Sequence, residues 1–592
     1  MVNKSIAQSG SATSPTTNKS GTYVEVPLQD TIPIIFVPGI MGSNIFNTAL
    51  NKPVWKLGNG GGIVGTIYSQ MQKSPAALQN ELDPLNTRVD TSGDIKVDSR
   101  LKLTEKTLRE RYWGTVHWDS YGGILTYLQM VLNNVDLNEK PIYASGVGGG
   151  YAAIHQMKQQ EAIYEWKSLL NQGESKKWTP QEPFISINQQ EIEHLKKFHF
   201  PVYAMGYNWL QSSENGAATV AQKLDKIKQE YGARFHKFII VTHSMGGLLT
   251  RRLVQLRGGD IAGVVHGVMP AEGAAAAYRR LVAGSSEGGL VSAVAANVIG
   301  KNTEHVTAVL ANAPGGLELL PSKAYNNGRP WLFLNGSGLM NGKDLQTNVV
   351  SLPKSDPYEE IYKADGVWWE MVKEELIDPA NMVKKSNPKK SVKNIYKLKI
   401  NEVKNFHDKI TNKYHPCTYV NYGHDPKHSS FGTLTWTLDR PLRGLTAEQM
   451  KRLPRATAKQ IGTYRQKIVQ EQMKKIKEGK GTDANNRDLA LENNGIRYIS
   501  LVSGNLGVFT ISNQNAPGDG TVPYQSGCAP LKQAGVKQVF KMTGFDHQGS
   551  YNNTQVKRSV LYSIVALLHK DLKCKAPLIE PNLRRNLGKW ST

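Results

Sequence analysis

The chain has 592 residues, 39% of them hydrophobic and 8% aromatic, which excludes a disordered polypeptide and exceeds what one simple core holds. Its formal net charge of +23 favours acidic partners: anionic lipid headgroups, nucleic acid or an acidic protein. No zinc-finger spacing and no RNA-binding aromatic signature accompanies that charge, so no nucleic-acid partner is expected.

Residues 1–30 are rich in Ser, Thr, Asn and Gly, lack the apolar run of a signal peptide, and read as a disordered tail. No window offers 18 consecutive apolar residues, so no membrane-spanning helix is expected. Residues 31–50 begin an α/β core: the β-branched run in Thr31–Ser43 is a strand that Pro38-Gly39 breaks into a loop. Residues 51–196 mix glycine-rich loops with a helix near Gly123 to Val135 and read as a first insertion or cap. Residues 197–270 return to the core. Phe198–Trp209 reads as a strand, and Asn215–Gly232 as an amphipathic helix with Val220, Leu224 and Ile227 on one face. A buried strand then runs into Ser244, a helix follows and stops at Gly258-Gly259, and "IAGVVHGVMP" is a further strand.

Residues 271–494 read as a second insertion or cap. Within it, Pro441 to Lys480 is helical and basic, with eleven Lys or Arg against three Glu. Residues 495–592 complete the core with strands at Ile496–Gly504 and Val536–Gln548 and a final helix carrying Val560, Ile564 and Leu567 on one stripe. The alternation of strands and helices calls for a mostly parallel sheet with helices on both faces, interrupted twice. Three cysteines, Cys417, Cys528 and Cys574, are too scattered for a metal site and odd in number for a disulfide framework.

Ser244 stands between "KFIIV" and "GGLLTRRLV" in the sequence T-H-S-M-G-G. A strand–Ser–helix corner is the context of the nucleophile elbow, written G-x-S-x-G, in which small flanking residues let the serine adopt a strained turn. Gly246 fills the second small position; Thr242 replaces the first glycine. A serine hydroxyl needs a base and a carboxylate to orient that base, in chain order Ser, acid, His. Asp519 in "PGDGTVP", placed after the strand ending near Gly504, and His547 in "FDHQGSY" supply that order. Asp546 and Glu272 are alternative acids, and His243 is assigned to packing of the elbow. The oxyanion donors are expected to be the N–H of Met245 and that of Ile40 or Met41, with Gly39 allowing close approach. The chemistry calls for no metal and no cofactor.

The segments "IIFVPGIMGS", "VYAMGYNW", "VTHSMGG", "NAPGGLELLP", "PGDGTVP" and "DHQGSY" occur in an order that resembles the α/β-hydrolase esterases. They look like the lipases related to lecithin–cholesterol acyltransferase and to the inositol deacylases of GPI anchors. "GVVHGVMPAEGAAAAYRRLVAG" and the two insertions are more similar to antibacterial lipase effectors of the type VI secretion system. That resemblance implies phospholipid ester hydrolysis at a membrane surface by a Ser244–His547–Asp519 mechanism, and caps over the site. It also implies synthesis in a bacterial cytoplasm without a cleaved signal and delivery to a neighbour's periplasm. A cognate immunity protein and a secretion spike or adaptor are the implied partners. Gly288–Gly300 is either a lid helix or a buried core helix, and Pro441–Lys480 either docks on anionic lipid or is a solvated face. The alternatives are an acyltransferase or glycolipid deacylase of the same fold, or an inactive hydrolase-fold binding protein.

Overall fold

The computed structural model describes residues 29–56, 73–137, 151–181, 183–284, 302–340, 343–441, 446–478, 495–501, 506–531 and 533–574. The tail at 1–28 and the lid candidate Gly288–Gly300 lie outside the described residues. Ten elements make the core: β1 (Ile34–Val37), α1 (Trp118–Leu132), β2 (Val202–Ala204), α2 (Ser213–Tyr231), β3 (Phe238–His243), α3 (Gly246–Arg257), β4 (Ile261–Gly267), β5 (Thr418–Gly423), β6 (Val536–Met542) and α4 (Thr554–Cys574). The strands lie in the order β6-β5-β4-β3-β1-β2, every neighbouring pair parallel. The chain steps from β1 to β2 on one side, then crosses back to place β3 on the other. β1 and β3 therefore flank the switch point where parallel sheets open a crevice at their carboxyl ends.

Strand residues alternate between two apolar layers, as the pleat requires. Ile35, Val37, Phe238 and Ile240 face α2 and α3, joining Val220, Leu224, Ile227, Leu249 and Leu253. Ile34, Phe36, Ile239 and Val241 face α1 and α4, joining Ile124, Leu128, Val560, Ile564 and Leu567. Both faces of the sheet are covered, so β1 and β3 read as continuous apolar runs.

A second sheet, mostly antiparallel, stands beside the first, in the order Lys343–Leu352, Leu332–Met340, Leu434–Pro441, Leu506–Ile511, Ile496–Ser500. Its centre is aromatic: Trp368 stacks on Phe509 with ring centroids 3.8 Å apart, and Trp436 meets Trp368 edge-on.

The segment boundaries read from the sequence need correction. β5 lies inside the span 271–494 yet belongs to the central sheet, whereas Ile496–Ser500, assigned to the core, is the edge strand of the second sheet. Pattern cannot separate them, because a short apolar strand looks the same in either sheet. Likewise α1 lies inside 51–196 but packs on the central sheet, and the boundary at 50/51 cuts the hairpin Ile45–Asn47 with Lys52–Trp55. Phe198–Trp209 is two short strands, Phe198–His199 and β2, separated by Pro201, which has no N–H for a ladder. The basic segment is also divided: helices Ala447–Lys451 and Ala458–Lys477 flank Pro454, which cannot continue the first. Among the described residues no helix is long and apolar enough to cross a membrane, and Cys417 and Cys528 are not joined in a disulfide.

The tightest seam between α4 and the sheet is at Gly263, where an added Cβ would collide with Leu567 and lie 2.7 Å from the Cys417 carbonyl. Gly263→Ala should destabilise the fold by about 1–3 kcal/mol, read from the denaturant midpoint. An unchanged midpoint would mean that this seam can give.

Candidate active site

β3 delivers Ser244 into a corner that few residues tolerate. Its φ is +51°, in the left-handed region, and its N–H donates to the Gly267 carbonyl at 2.9 Å. The helix α3 begins two residues later, because Gly246 has no side chain: an added Cβ would sit 2.5 Å from the Pro38 carbonyl and 2.6 Å from that of Val37. Thr242, where the elbow pattern has glycine, is buried; its hydroxyl pairs with His266 Nδ1 at 3.0 Å and its carbonyl accepts the Tyr551 hydroxyl at 2.7 Å. Threonine fits there with its hydroxyl bonded to the neighbouring strand β4.

His547 comes from the loop after β6. Its Nε2 lies 2.8 Å from Ser244 Oγ and its Nδ1 2.8 Å from Asp519 Oδ2. Its backbone N–H also donates to the Asp519 carbonyl at 2.7 Å. Asp519 is 1% exposed, and its other oxygen, Oδ1, accepts the N–H groups of Thr521 (3.0 Å) and Val522 (2.7 Å). Gly520 at φ +90° makes that tight return possible. Both oxygens of the carboxylate are thus engaged, one by the imidazole and one by the backbone.

The position of Asp519 corrects the sequence reading. It does not follow a core strand ending near Gly504. It sits on the end of β5, where an added Cβ at Gly423 would lie 2.7 Å from Asp519 Cβ. The short pair Asp425–Ser430 with Ala516–Gly518 brings it there. Asp546 accepts the Gly549 N–H at 2.7 Å within its own turn, and His547 pairs with Asp519 instead. Glu272 lies just beyond β4; its N–H faces Ser526 Oγ at 3.1 Å, and burial pushes its carboxyl up to about 7.

The loop after β1 closes the crevice opposite His547. Gly39 lies against the elbow: an added Cβ would be 2.7 Å from His243 Nδ1 and 2.9 Å from Ser244 Cβ. Met41 has φ +61°, and its carbonyl accepts the Trp55 indole N–H at 2.9 Å. The Gly39 N–H is engaged by the Tyr121 hydroxyl at 3.2 Å. Those of Ile40, Met41 and Met245 are donated to no group among the described residues. These three amides are thus left without an internal acceptor, as the donors of an oxyanion site would be.

Several groups that matter here lie outside the sequence reading. Asp425 Oδ2 accepts the Gly544 N–H at 2.9 Å and so anchors the loop that carries His547. Glu318, in "NAPGGLELLP", accepts the Ser213 N–H at the amino end of α2 through both oxygens (3.1 and 2.9 Å), and burial pushes it up to about 8. Gly315 of the same segment packs against the carbonyls of Trp209 and Gln211 and against Met245. Tyr121, Trp55 and Asp425 carry no sequence signal, since an isolated Tyr, Trp or Asp is common in any core or turn. His243 is buried beside Tyr121 and His547, with ring centroids 5.5 and 5.1 Å away, and the base position at Ser244 Oγ is held by His547. Among the described residues no group of His, Cys, Asp and Glu is arranged to hold a metal ion.

No protein-family model matches the chain, and no curated protein matches it. Among solved structures it is similar to a chain of the crystal structure of the Tle4–Tli4 complex, with 28% identity and a TM-score of 0.68. The similarity covers 92% of this chain and 99% of that one, so it extends well beyond the central sheet.

Burial sets a pH dependence. It drives His117, His243 and His266 down to about 3, and His199 and His407 to about 4. Unfolded, each takes up a proton near its ordinary pKa of about 6.5. Between about pH 6.5 and 4 the unfolded chain therefore binds more protons, and stability falls as pH drops through that window. Glu272 and Glu318, raised by burial, act with the opposite sign above their ordinary range, two groups against five. The unfolding free energy should be lower at pH 5 than at pH 7. Equal or greater stability at pH 5 would show that these imidazoles are not held neutral.

Proposed function

We propose that this α/β-hydrolase is a serine esterase acting on membrane phospholipids. The observation that carries the reading is the single imidazole of His547, held at 2.8 Å from both the Ser244 hydroxyl and the Asp519 carboxylate. His547 Nε2 takes the Ser244 proton as Oγ attacks an acyl carbonyl. Asp519 holds the Nδ1–H tautomer and stabilises the imidazolium. The amides of Met245 and of Ile40 or Met41 receive the negative charge that develops on the carbonyl oxygen. His547 then returns the proton to the leaving alcohol, and a water deprotonated by the same nitrogen releases the fatty acid.

A lipid surface as the substrate's home is supported by charge and shape together. The helix Ala458–Lys477 packs its first half, through Ile461 and Tyr464, on the edge of the second sheet. Its second half leaves Val469 36% and Met473 59% exposed, with Lys467, Lys474 and Lys477 exposed around them. An apolar edge flanked by lysines suits an anionic bilayer. The resemblance to type VI lipase effectors and the likeness to a chain found in a complex favour delivery to a neighbouring cell's periplasm and a cognate immunity protein that covers the site.

Fatty-acid release from a panel of phospholipid vesicles tests the chemistry. Ser244→Ala should fold normally, lose labelling by a fluorophosphonate and lose at least about a thousandfold in turnover. Equal activity in parent and variant would remove the mechanism. Lys467→Glu, Lys474→Glu and Lys477→Glu combined should lower the rate on anionic vesicles about tenfold or more at low salt. Hydrolysis of a water-soluble short-chain ester should stay within about twofold; parallel losses on both substrates would argue against surface docking.

A further inference from the structure

The two sides of the crevice are joined by a chain of buried and partly buried hydrogen bonds. Gly39 N–H meets the Tyr121 hydroxyl at 3.2 Å, that hydroxyl meets His243 Nδ1 at 3.1 Å, and His243 Nε2 meets the backbone carbonyl of His547 at 2.9 Å. We infer that Tyr121 and His243 are positioning residues: together they set the oxyanion-side turn and the base loop in register with each other. The inference rests on the esterase reading for its catalytic consequence, but the coupling itself does not.

The direction of the chain follows from its ends. A backbone N–H can only donate and a carbonyl can only accept. His243 Nε2 must therefore carry the proton that the His547 carbonyl receives. Its Nδ1 is then a bare acceptor for the Tyr121 O–H, and the Tyr121 oxygen is left to accept from Gly39 and from the Gln548 side chain. One arrangement of protons satisfies every group. Burial keeps the His243 imidazole neutral, with a pKa driven down to about 3. A charged ring would carry N–H on both nitrogens and leave the phenol hydrogen without its acceptor.

The relay is also tight. Tyr121 is 1% and His243 2% exposed. An added Cβ at Gly42 would lie 2.7 Å from the Tyr121 hydroxyl, and one at Gly39 2.7 Å from His243 Nδ1. The turn from Gly39 to Gly42 thus rests on the relay directly, and its own bond from the Gly42 N–H to the Gly39 carbonyl (3.1 Å) makes it a unit. His243 is covalently joined to Ser244. The same two side chains therefore touch the turn that offers Ile40 and Met41, the nucleophile's strand and the loop of the base. Rings that only filled space would accept phenylalanine at either place; a relay would not.

Tyr121→Phe removes one oxygen and keeps the ring. Amide hydrogen exchange should rise in the segment 38–42 and also in 546–550, which Tyr121 holds both through His243 and through the Gln548 side chain, and His243→Phe alone should raise it in 546–550 as well. With a soluble ester, kcat per folded molecule should fall about ten- to a hundredfold while KM stays within about twofold. Tyr121→Phe with His243→Phe should cost no more than the worse single change, because both cut one chain. Unchanged exchange at 546–550 in Tyr121→Phe, or losses that add in the double variant, would overturn the relay. If the parent hydrolyses no ester but the exchange coupling is seen, the relay stands and the esterase reading falls. If ester hydrolysis depends on Ser244 but the exchange coupling is missing, the esterase reading stands and the relay falls.

Discussion

The site depends on holding one non-glycine residue in a left-handed backbone turn. Ser244 at φ +51° carries a conformational penalty of roughly 1–3 kcal/mol that only its surroundings can offset. Those surroundings over-determine it. A buried strand fixes the chain on one side and a helix on the other, Gly246 lets the β1 carbonyls come close, and the Gly267 carbonyl receives the serine's own N–H. Relaxing any of these would let the turn revert and swing the hydroxyl away from the imidazole. The glycines around the elbow are therefore spatial requirements, set by neighbouring backbone.

The sheet order converts that local turn into a site. Because β3 returns to lie next to β1, the loops leaving their carboxyl ends diverge to opposite faces and leave a gap between them. The elbow and the Gly39 turn line that gap. β5 and β6 then bring Asp519 and His547 to the same rim. A hydrogen-bonded group forms from residues far apart in the chain, and each member is held by backbone hydrogen bonds, so little ordering remains to be done when a substrate arrives.

What can be read from the sequence follows from what short patterns encode. Strand β3 and helix α3 around Ser244 are legible because a buried β-branched run, a small-residue turn and a helical stripe are local signals. His547 is legible at the end of an apolar run for the same reason, and the structure brings it and Asp519 to Ser244. The location of Asp519 in the fold is not legible. Its support, β5, is separated from it by strands of the second sheet, and nothing in "CTYVNYG" distinguishes a central strand from a cap strand. Tyr121, Trp55 and Asp425 are silent in the sequence because their roles arise only from long-range contact. His243 is recognisable as part of the elbow's packing, but its polar bonds to two other segments leave no local trace.

The excursion that adds three strands to the second sheet leaves the core after Gly423 and returns at Asp519, and its two limbs are stitched together at once by the pairing of Asp425 with Gly518 and of Ser430 with Ala516. Further out, Trp436 pairs with Ile511 and Thr437 with Thr510, so the limbs stay zipped as they enter the cap. Such a stalk isolates its root from whatever it bears. Residues inserted or deleted in the loops beyond the zipper would leave the carboxylate where it sits. The architecture gives a lineage of such proteins freedom to diversify its outer parts while the chemistry beneath stays put.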